Sequence, residues 1–249
     1  MEHFLLITDL DYTLVGDDEA MVQLNQRLEQ HRQRYGTKIV YSTGRSPFLY
    51  QQLRDEKSLL APDVVICSVG TEIFYQDLDS PFLEWSHKLS QAWDKELVIN
   101  ILADFSILKL QPTSEQRPFK VSYFLPEAAA DIIPEIKSRL LEAKLDIQVI
   151  YSGGKDLDIL PSQANKGMAM TFVRENLEID VDKTVACGDS GNDIALFADK
   201  KEKGIIVGNA QPELLHWHQA HPHQNRYLAT AKFAEGIAEG LQHFGFLTS

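Results

Sequence analysis

The sequence predicts an α/β protein: a Rossmann-like core with a parallel sheet, interrupted by a smaller α+β segment. Three observations predict it. Short apolar runs rich in Ile and Val recur without strict alternation, as expected of strands covered on both faces. Helical stretches alternate with them at both ends of the chain, which implies right-handed crossovers and parallel pairing. Two of the apolar runs stop at clusters of carboxylates. Phe4 to Ile7 leads into Asp9-Leu10-Asp11-Tyr12-Thr13, and Thr184 to Cys187 leads into Gly188-Asp189-Ser190-Gly191-Asn192-Asp193.

In order, the first part reads as a strand (4–8), a helix (19–35), a strand (38–42), a helix (47–57) and a strand (64–68). Gly36 stands where a helix C-cap belongs. The last part reads as a helix (166–175), a strand (184–187), a helix (193–198), a strand (204–207) and closing helices (212–218 and 233–244), with Pro212 at a first helical position. The middle differs. A helical pattern over 86–105 is followed by strand-like runs at 107–110 and 120–125. A helix over 127–144 then places Ile132, Ile136 and Leu140 on one face. Runs at 147–152 and 156–160 close the block, joined by the hairpin signal Gly153-Gly154. The expected division is a catalytic core from 1–80 and 160–249 with an inserted α+β cap at 81–159.

The chain has 249 residues, 44% of them apolar, and a net charge of −12. A substantial core follows, and a nucleic-acid or anionic-membrane surface does not, since either needs a basic face. No apolar run approaches the ~18 residues of a membrane span. Cys67 and Cys187 lie in strand-like runs and read as reduced core thiols. A cytoplasmic monomer is expected.

Ligands of parallel sheets bind beyond the carboxyl ends of the strands. Asp9 and Asp11, then Thr43-Gly44-Arg45, then Asp189 and Asp193 all fall there, and Lys166 opens a helix where the chain re-enters the core. Taken alone, each is a common turn, cap or surface residue. Together they bring carboxylates that repel one another unless a cation sits among them, which points to Mg2+ and phosphoryl chemistry. Asp11, beside other carboxylates, is expected to have a raised pKa suited to an acid.

These motifs resemble the haloacid dehalogenase-like (HAD) superfamily of phosphohydrolases. The resemblance implies that Asp9 is the nucleophile carrying an aspartyl-phosphate and that Asp11 is the acid and base. It implies that Thr43 binds the phosphoryl oxygens and Lys166 neutralises their charge. Magnesium would be held by Asp9, the Asp11 backbone carbonyl and Asp189, with Asp193 and Asn192 behind them or at the phosphate.

The inserted cap resembles that of sugar phosphatases. The runs Ser42-Thr43-Gly44-Arg45-Ser46, Ser152-Gly153-Gly154-Lys155-Asp156-Leu157-Asp158-Ile159-Leu160-Pro161 and Asn209-Ala210-Gln211-Pro212-Glu213-Leu214-Leu215-His216-Trp217 are similar to the sucrose-phosphate phosphatase family of cyanobacteria and plants. That resemblance implies a hydrolase for sucrose 6-phosphate at the last step of sucrose biosynthesis, with a sucrose-phosphate synthase as a partner. Candidate sugar contacts are Gln111, Lys120, Lys155, Asp156 and Asp158 in the cap, and Arg45, Ser46, Gly70, Thr71 and Glu72 in the core. The alternatives are a phosphatase for trehalose, mannosylglycerate or mannose phosphates, or a non-catalytic binding domain. The crowded His216, His218, His221 and His223 read as a solvated segment rather than a zinc site.

Overall fold

The computed structural model describes residues 2–75, 78–91, 93–198 and 201–248. The chain opens with β1 (Leu5–Thr8), α1 (Asp18–Tyr35), β2 (Lys38–Ser42), α2 (Pro47–Glu56), β3 (Val64–Cys67) and β4 (Glu72–Tyr75). Next come α3 (Leu83–Ser90), α4 (Lys95–Leu102), β5 (Lys109–Leu110), β6 (Val121–Phe124), α5 (Ile133–Glu142), β7 (Ile147–Ser152) and β8 (Asp156–Pro161). The chain closes with α6 (Lys166–Asn176), β9 (Thr184–Gly188), α7 (Ile194–Phe197), β10 (Lys203–Ile206), α8 (Pro212–Ala220), β11 (Arg226–Leu228) and α9 (Phe233–His243).

Seven strands form one sheet in the order β11-β10-β9-β1-β2-β3-β4. Every pairing is parallel except β3 with β4. β1 is central, and its residues explain the unbroken apolar run. Leu6 packs toward α1 and α9 among Met21, Leu24, Leu28, Ile237 and Leu241. Leu5 and Ile7 pack on the opposite face among Met170, Val173, Leu196 and Leu214. A strand buried on both sides has no polar positions to alternate with, and each such side chain stabilises the fold by about 1.5–3 kcal/mol.

A second sheet, β5-β6-β8-β7, is antiparallel throughout. With α4 and α5 it encloses its own apolar centre, including Val98, Leu102, Val121, Ile136, Leu140, Leu157 and Ile159. The turn at Gly153 and Gly154 has φ of 58° and 65°, the left-handed backbone that the paired glycines announce.

Local signals set the helix ends. The Asp17 side chain accepts from the Ala20 N–H at the start of α1, and Gly36 closes it with φ 80° and its N–H on Arg32 O. Where the structure departs from expectation, local chemistry accounts for it. The helix expected over 127–144 starts as a 3-10 turn over Glu127–Ile132, and α5 begins only at Ile133. Pro134 has no N–H to give and suits a first turn, not an interior. The helical pattern over 86–105 is two helices, and Ala92 between them lies outside the described residues. α3, which follows the boundary drawn at residue 80, packs Trp85 and Leu89 among Val40, Ile66 and Met170 of the larger layer. The run at 107–110 pairs only at Lys109 and Leu110, both exposed. β4 and β11 are short edge strands that the apolar pattern did not reveal.

After β3 the backbone makes an unusual turn. Ser68, Val69 and Gly70 all have positive φ, at 55°, 60° and 98°. Gly70 lies so close to the start of α6 that an added Cβ would sit 2.3 Å from the Asn165 carbonyl carbon. Gly70→Ala therefore combines backbone strain with a backbone collision and is expected to cost about 2 kcal/mol or more. Gly36→Ala, where nothing lies within 4 Å, is expected to cost about 1 kcal/mol. Urea unfolding of both variants checks the order, and equal losses would remove the close-approach argument.

Candidate active site

The chain order reverses on either side of β1, whose neighbours are β2 and β9, so the crevice beyond their carboxyl ends is the natural ligand position. The Asp9 N–H donates to Cys187 O (3.0 Å), which ties the loop after β1 to β9. Lys166, fully buried at the first turn of α6, donates to Asp9 Oδ1 (2.6 Å) and Asp193 Oδ1 (2.7 Å). Asn165 caps that helix by accepting from the Met168 N–H (2.8 Å), which fixes where Lys166 starts. Asp193 Oδ2 accepts the backbone N–H groups of Asp189 (2.9 Å) and Ser190 (3.0 Å), with Ser190 completing a capping box. Thr13 donates to Asp189 Oδ1 (2.9 Å).

Asp9, Asp189 and Asp193 thus present carboxylate oxygens within 4.8 Å of one another. Burial pushes Asp9 up to about 7; the Lys166 charge opposes that and Asp193 adds to it. Burial pushes Asp189 up to about 9, with Asp9 and Asp193 adding to it. Burial would lower the Lys166 ammonium, but Asp193 and Asp9 outweigh it and hold Lys166 above its ordinary range. Three carboxylates face one ammonium, so full ionisation of the cluster would leave excess negative charge. An all-oxygen set of this kind fits a hard divalent cation.

The second loop meets the first through Arg45. Its Nε and Nη2 donate to Asp11 Oδ2 and Oδ1, both at 2.7 Å. Asp11 therefore has a guanidinium fork as its partner as well as the Asp9 carboxylate near it. Thr43 is fully buried, and its Oγ1 accepts from the Arg45 N–H (3.1 Å). The Ser68–Gly70 turn locks onto this loop, with Ser68 N–H on Arg45 O (2.8 Å) and Val69 N–H on Thr43 O (3.1 Å).

Above these groups a cavity of about 730 Å³ opens between the two sheets, a size suited to a small ligand. Of the expected residues, Asp9, Asp11, Gly44, Arg45, Asp189 and Asn192 line its floor. Gln111, Lys120, Lys155, Asp156 and Asp158 line its roof. Lys120 is almost wholly buried, 3.7 Å from Asp158, and Gln111 donates to Asp156 (2.9 Å). Thr43, Lys166 and Asp193 are buried under the floor. Ser46, Gly70, Thr71 and Glu72 do not line the cavity. Glu72 is instead saturated by Arg117, through Nε (2.8 Å) and Nη2 (2.7 Å), and by Ser68 Oγ (2.8 Å). Ser46 donates to Glu115 (2.8 Å). Lining residues that the sequence reading missed include Tyr12, Glu115, Phe124, Ser190 and Gln211. Tyr12 and Ser190 sit inside the motifs, and Gln211 lies in a quoted run. Glu115 and Phe124 carry no local signal. The histidine segment is partly helical: His216 and His218 lie in α8, while His221 stacks on Trp217.

The sequence profile of the sucrose-6F-phosphate phosphohydrolase family matches residues 2–245. The probable sucrose-phosphatase 2 of Arabidopsis thaliana is 41% identical over 96% of this chain. The chain spans 59% of that plant protein's length. The mannosylfructose-phosphate phosphatase of Agrobacterium fabrum is 35% identical over 97% of this chain and 96% of its own. The crystal structure of the sucrose-phosphatase of Synechocystis, in complex with sucrose and phosphate, superposes with a TM-score of 0.92 at 38% identity, covering 98% of both chains. HAD phosphatases of lower identity share the fold, among them a HAD subclass IIB sugar phosphatase with a TM-score of 0.69 at 18% identity. With its motifs at the strand ends and a matching profile along nearly its whole length, the chain belongs to the sucrose-6F-phosphate phosphohydrolase family.

Proposed function

We propose that this chain is a magnesium-dependent phosphatase that hydrolyses sucrose 6-phosphate to sucrose and phosphate. The observation that carries the reading is the buried Lys166 held between Asp9 and Asp193 beneath a cavity lined by both sheets. The likeness to a structure that holds sucrose and phosphate supports the substrate.

Lys166 holds Asp9 Oδ1, so the other carboxylate oxygen is the one to attack phosphorus. The bond from phosphorus to the sugar oxygen breaks as the aspartyl-phosphate forms. Asp11 gives its proton to the departing sugar oxygen and later takes one from the water that cleaves the intermediate. To do so Asp11 exchanges Arg45 for the substrate, and the freed guanidinium lies at the cavity floor to meet the phosphoryl oxygens. Thr43 and Asn192 orient those oxygens. Asp9, Asp189 and the Asp11 backbone carbonyl would hold Mg2+, while Asp193 positions Asp189 and Lys166. When bound, the cation offsets the carboxylate charge and that of the phosphoryl group. The four-stranded module, residues 81–159 in the expected division, acts as a cap, and Gln111, Lys120, Lys155, Asp156 and Asp158 supply donors and acceptors for sugar hydroxyls. The same reading places the enzyme in the cytoplasm, where its two buried cysteines stay reduced, beside the synthase that makes its substrate. Among the described residues no helix is long and apolar enough to cross a membrane.

Phosphate release from sucrose 6-phosphate is expected to exceed that from fructose, trehalose and mannose 6-phosphates about a hundredfold in kcat/KM, or roughly 2.7 kcal/mol. Mannosylfructose phosphate belongs in the same panel because a relative matched over 96% of its own length is named for it. An even spread of rates would discard the substrate but keep the chemistry. Asp9→Asn should lower kcat by about a thousandfold or more while leaving the circular dichroism spectrum unchanged; a fully active variant would sink the mechanism.

Metal binding has a pH signature. With folded pKa values of about 7 and about 9, Asp9 and Asp189 exceed the unfolded value near ~4. Their protonated forms favour the fold, so this stability is fully present near pH ~4 and is lost as pH rises through the two folded values. The metal-free melting temperature should fall from about pH 6 to about pH 9, and Asp189→Asn should flatten that slope. Magnesium should raise the melting temperature more at the alkaline end. A response flat in both pH and magnesium would remove the metal reading.

A further inference from the structure

Polar contacts tie the roof of the cavity to the seven-stranded layer on two sides, one of which also carries the Ser46–Glu115 bond. On one side, Arg117 forks onto Glu72 at 2.7 and 2.8 Å. On the other, the turn between β7 and β8 meets the loop after β9 and the start of α8. There Glu213, in the first turn of α8, places Oε1 between two backbone N–H groups, of Gly153 (3.2 Å) and of Gly191 (3.3 Å). Gly153 belongs to the roof turn, and Gly191 opens the short helix that carries Asn192 and Asp193. The junction is close: a Cβ on Gly191 would lie 2.8 Å from Tyr151 O and 3.1 Å from Glu213 Cγ.

A glutamate in the first turn of a helix ordinarily serves that helix's own dipole. This one reaches two amides of other segments, one from each layer. One carboxylate oxygen accepts both bonds, each at the long end of the hydrogen-bond range. Among the described residues, this is the hydrogen bond that joins the β7–β8 turn to the larger layer. The turn it holds places Ser152, Lys155 and Asp156 on the cavity.

We propose that Glu213 is a positioning residue for sugar specificity. By gripping Gly153 and Gly191 with one oxygen, it sets the height of Lys155 and Asp156 above the loop that bears Asn192. This rests on the phosphatase reading above, and it concerns how the sugar is held, not how phosphorus is attacked.

The test compares Glu213→Ala with Glu213→Gln, which keeps an accepting Oε1. Glu213→Ala should raise KM for sucrose 6-phosphate about tenfold. Its kcat/KM for p-nitrophenyl phosphate, too small to span the cavity, should stay within about twofold. Glu213→Gln should recover KM for the sugar phosphate to within about threefold. Hydrogen exchange gives a readout free of catalysis: the Gly153 and Gly191 amides should exchange faster in Glu213→Ala than in Glu213→Gln, with β1 and β9 unchanged. Equal losses on both substrates, no change in KM, or no recovery by glutamine would each overturn the proposal. If the wild-type chain cleaves no sugar phosphate, the phosphatase reading falls and exchange alone decides whether Glu213 holds the junction; unaltered exchange at Gly153 would overturn that as well.

Discussion

One ammonium group organises this molecule. Lys166 is shut away from water with carboxylates on two sides, and an ion buried without partners costs several kcal/mol. Its position must therefore satisfy three segments at once: the loop after β1, the loop after β9 and the start of α6. Much of the surrounding structure answers that demand. Asn165 fixes the first turn of α6, and Gly70 lets the turn after β3 press against it. Asp193 spends one oxygen on Lys166 and the other on two backbone amides, so it serves as a strut. Among the described residues, Asp9 and Asp189, by contrast, each keep a carboxylate oxygen without a protein donor.

The parts of the site set by chemistry were legible in the sequence. Carboxylates gathered directly after buried strands repel one another, so Asp9, Asp11, Asp189 and Asp193 stand out as a group. The partners that need two distant loops in register were not legible. Nothing near Arg45 announces that it meets Asp11, and nothing near Glu72 announces Arg117. Glu72 looked like a sugar ligand because it follows a strand end, but both its oxygens are taken. The fold divides in the same way. Strands with two apolar faces were readable, whereas β4 and β11, at the sheet edges, lean on a single partner strand and leave a weaker trace. At 127–144 the apolar period ran on through a 3-10 turn, and Pro134 carried the truer signal.

The two layers are joined by polar contacts as well as apolar ones. Glu115 reaches down to Ser46, and Arg117 to Glu72. Such contacts are directional, so they fix orientation more than they add stability. An apolar seam would let the roof slide over the floor. Directional ties at its edges hold a defined spacing over the cavity, the condition for reading one arrangement of hydroxyls and refusing another.

The central position of β1 has a consequence for how the chain assembles. β1 pairs on one side with β2, which follows it closely, and on the other with β9, with Leu5 opposite Thr184. Contacts so far apart in sequence form late, because a long loop must close before they repay it. The four-stranded module has its own apolar centre and pairs strands far closer in sequence than β1 and β9, so it can condense first. As the chain emerges from a ribosome, Asp9 waits in a half-built sheet until residues 166 to 193 arrive together with the lysine that neutralises it and the strand that covers it. The Asp9 carboxylate is sealed in by the same late segment that supplies its partners.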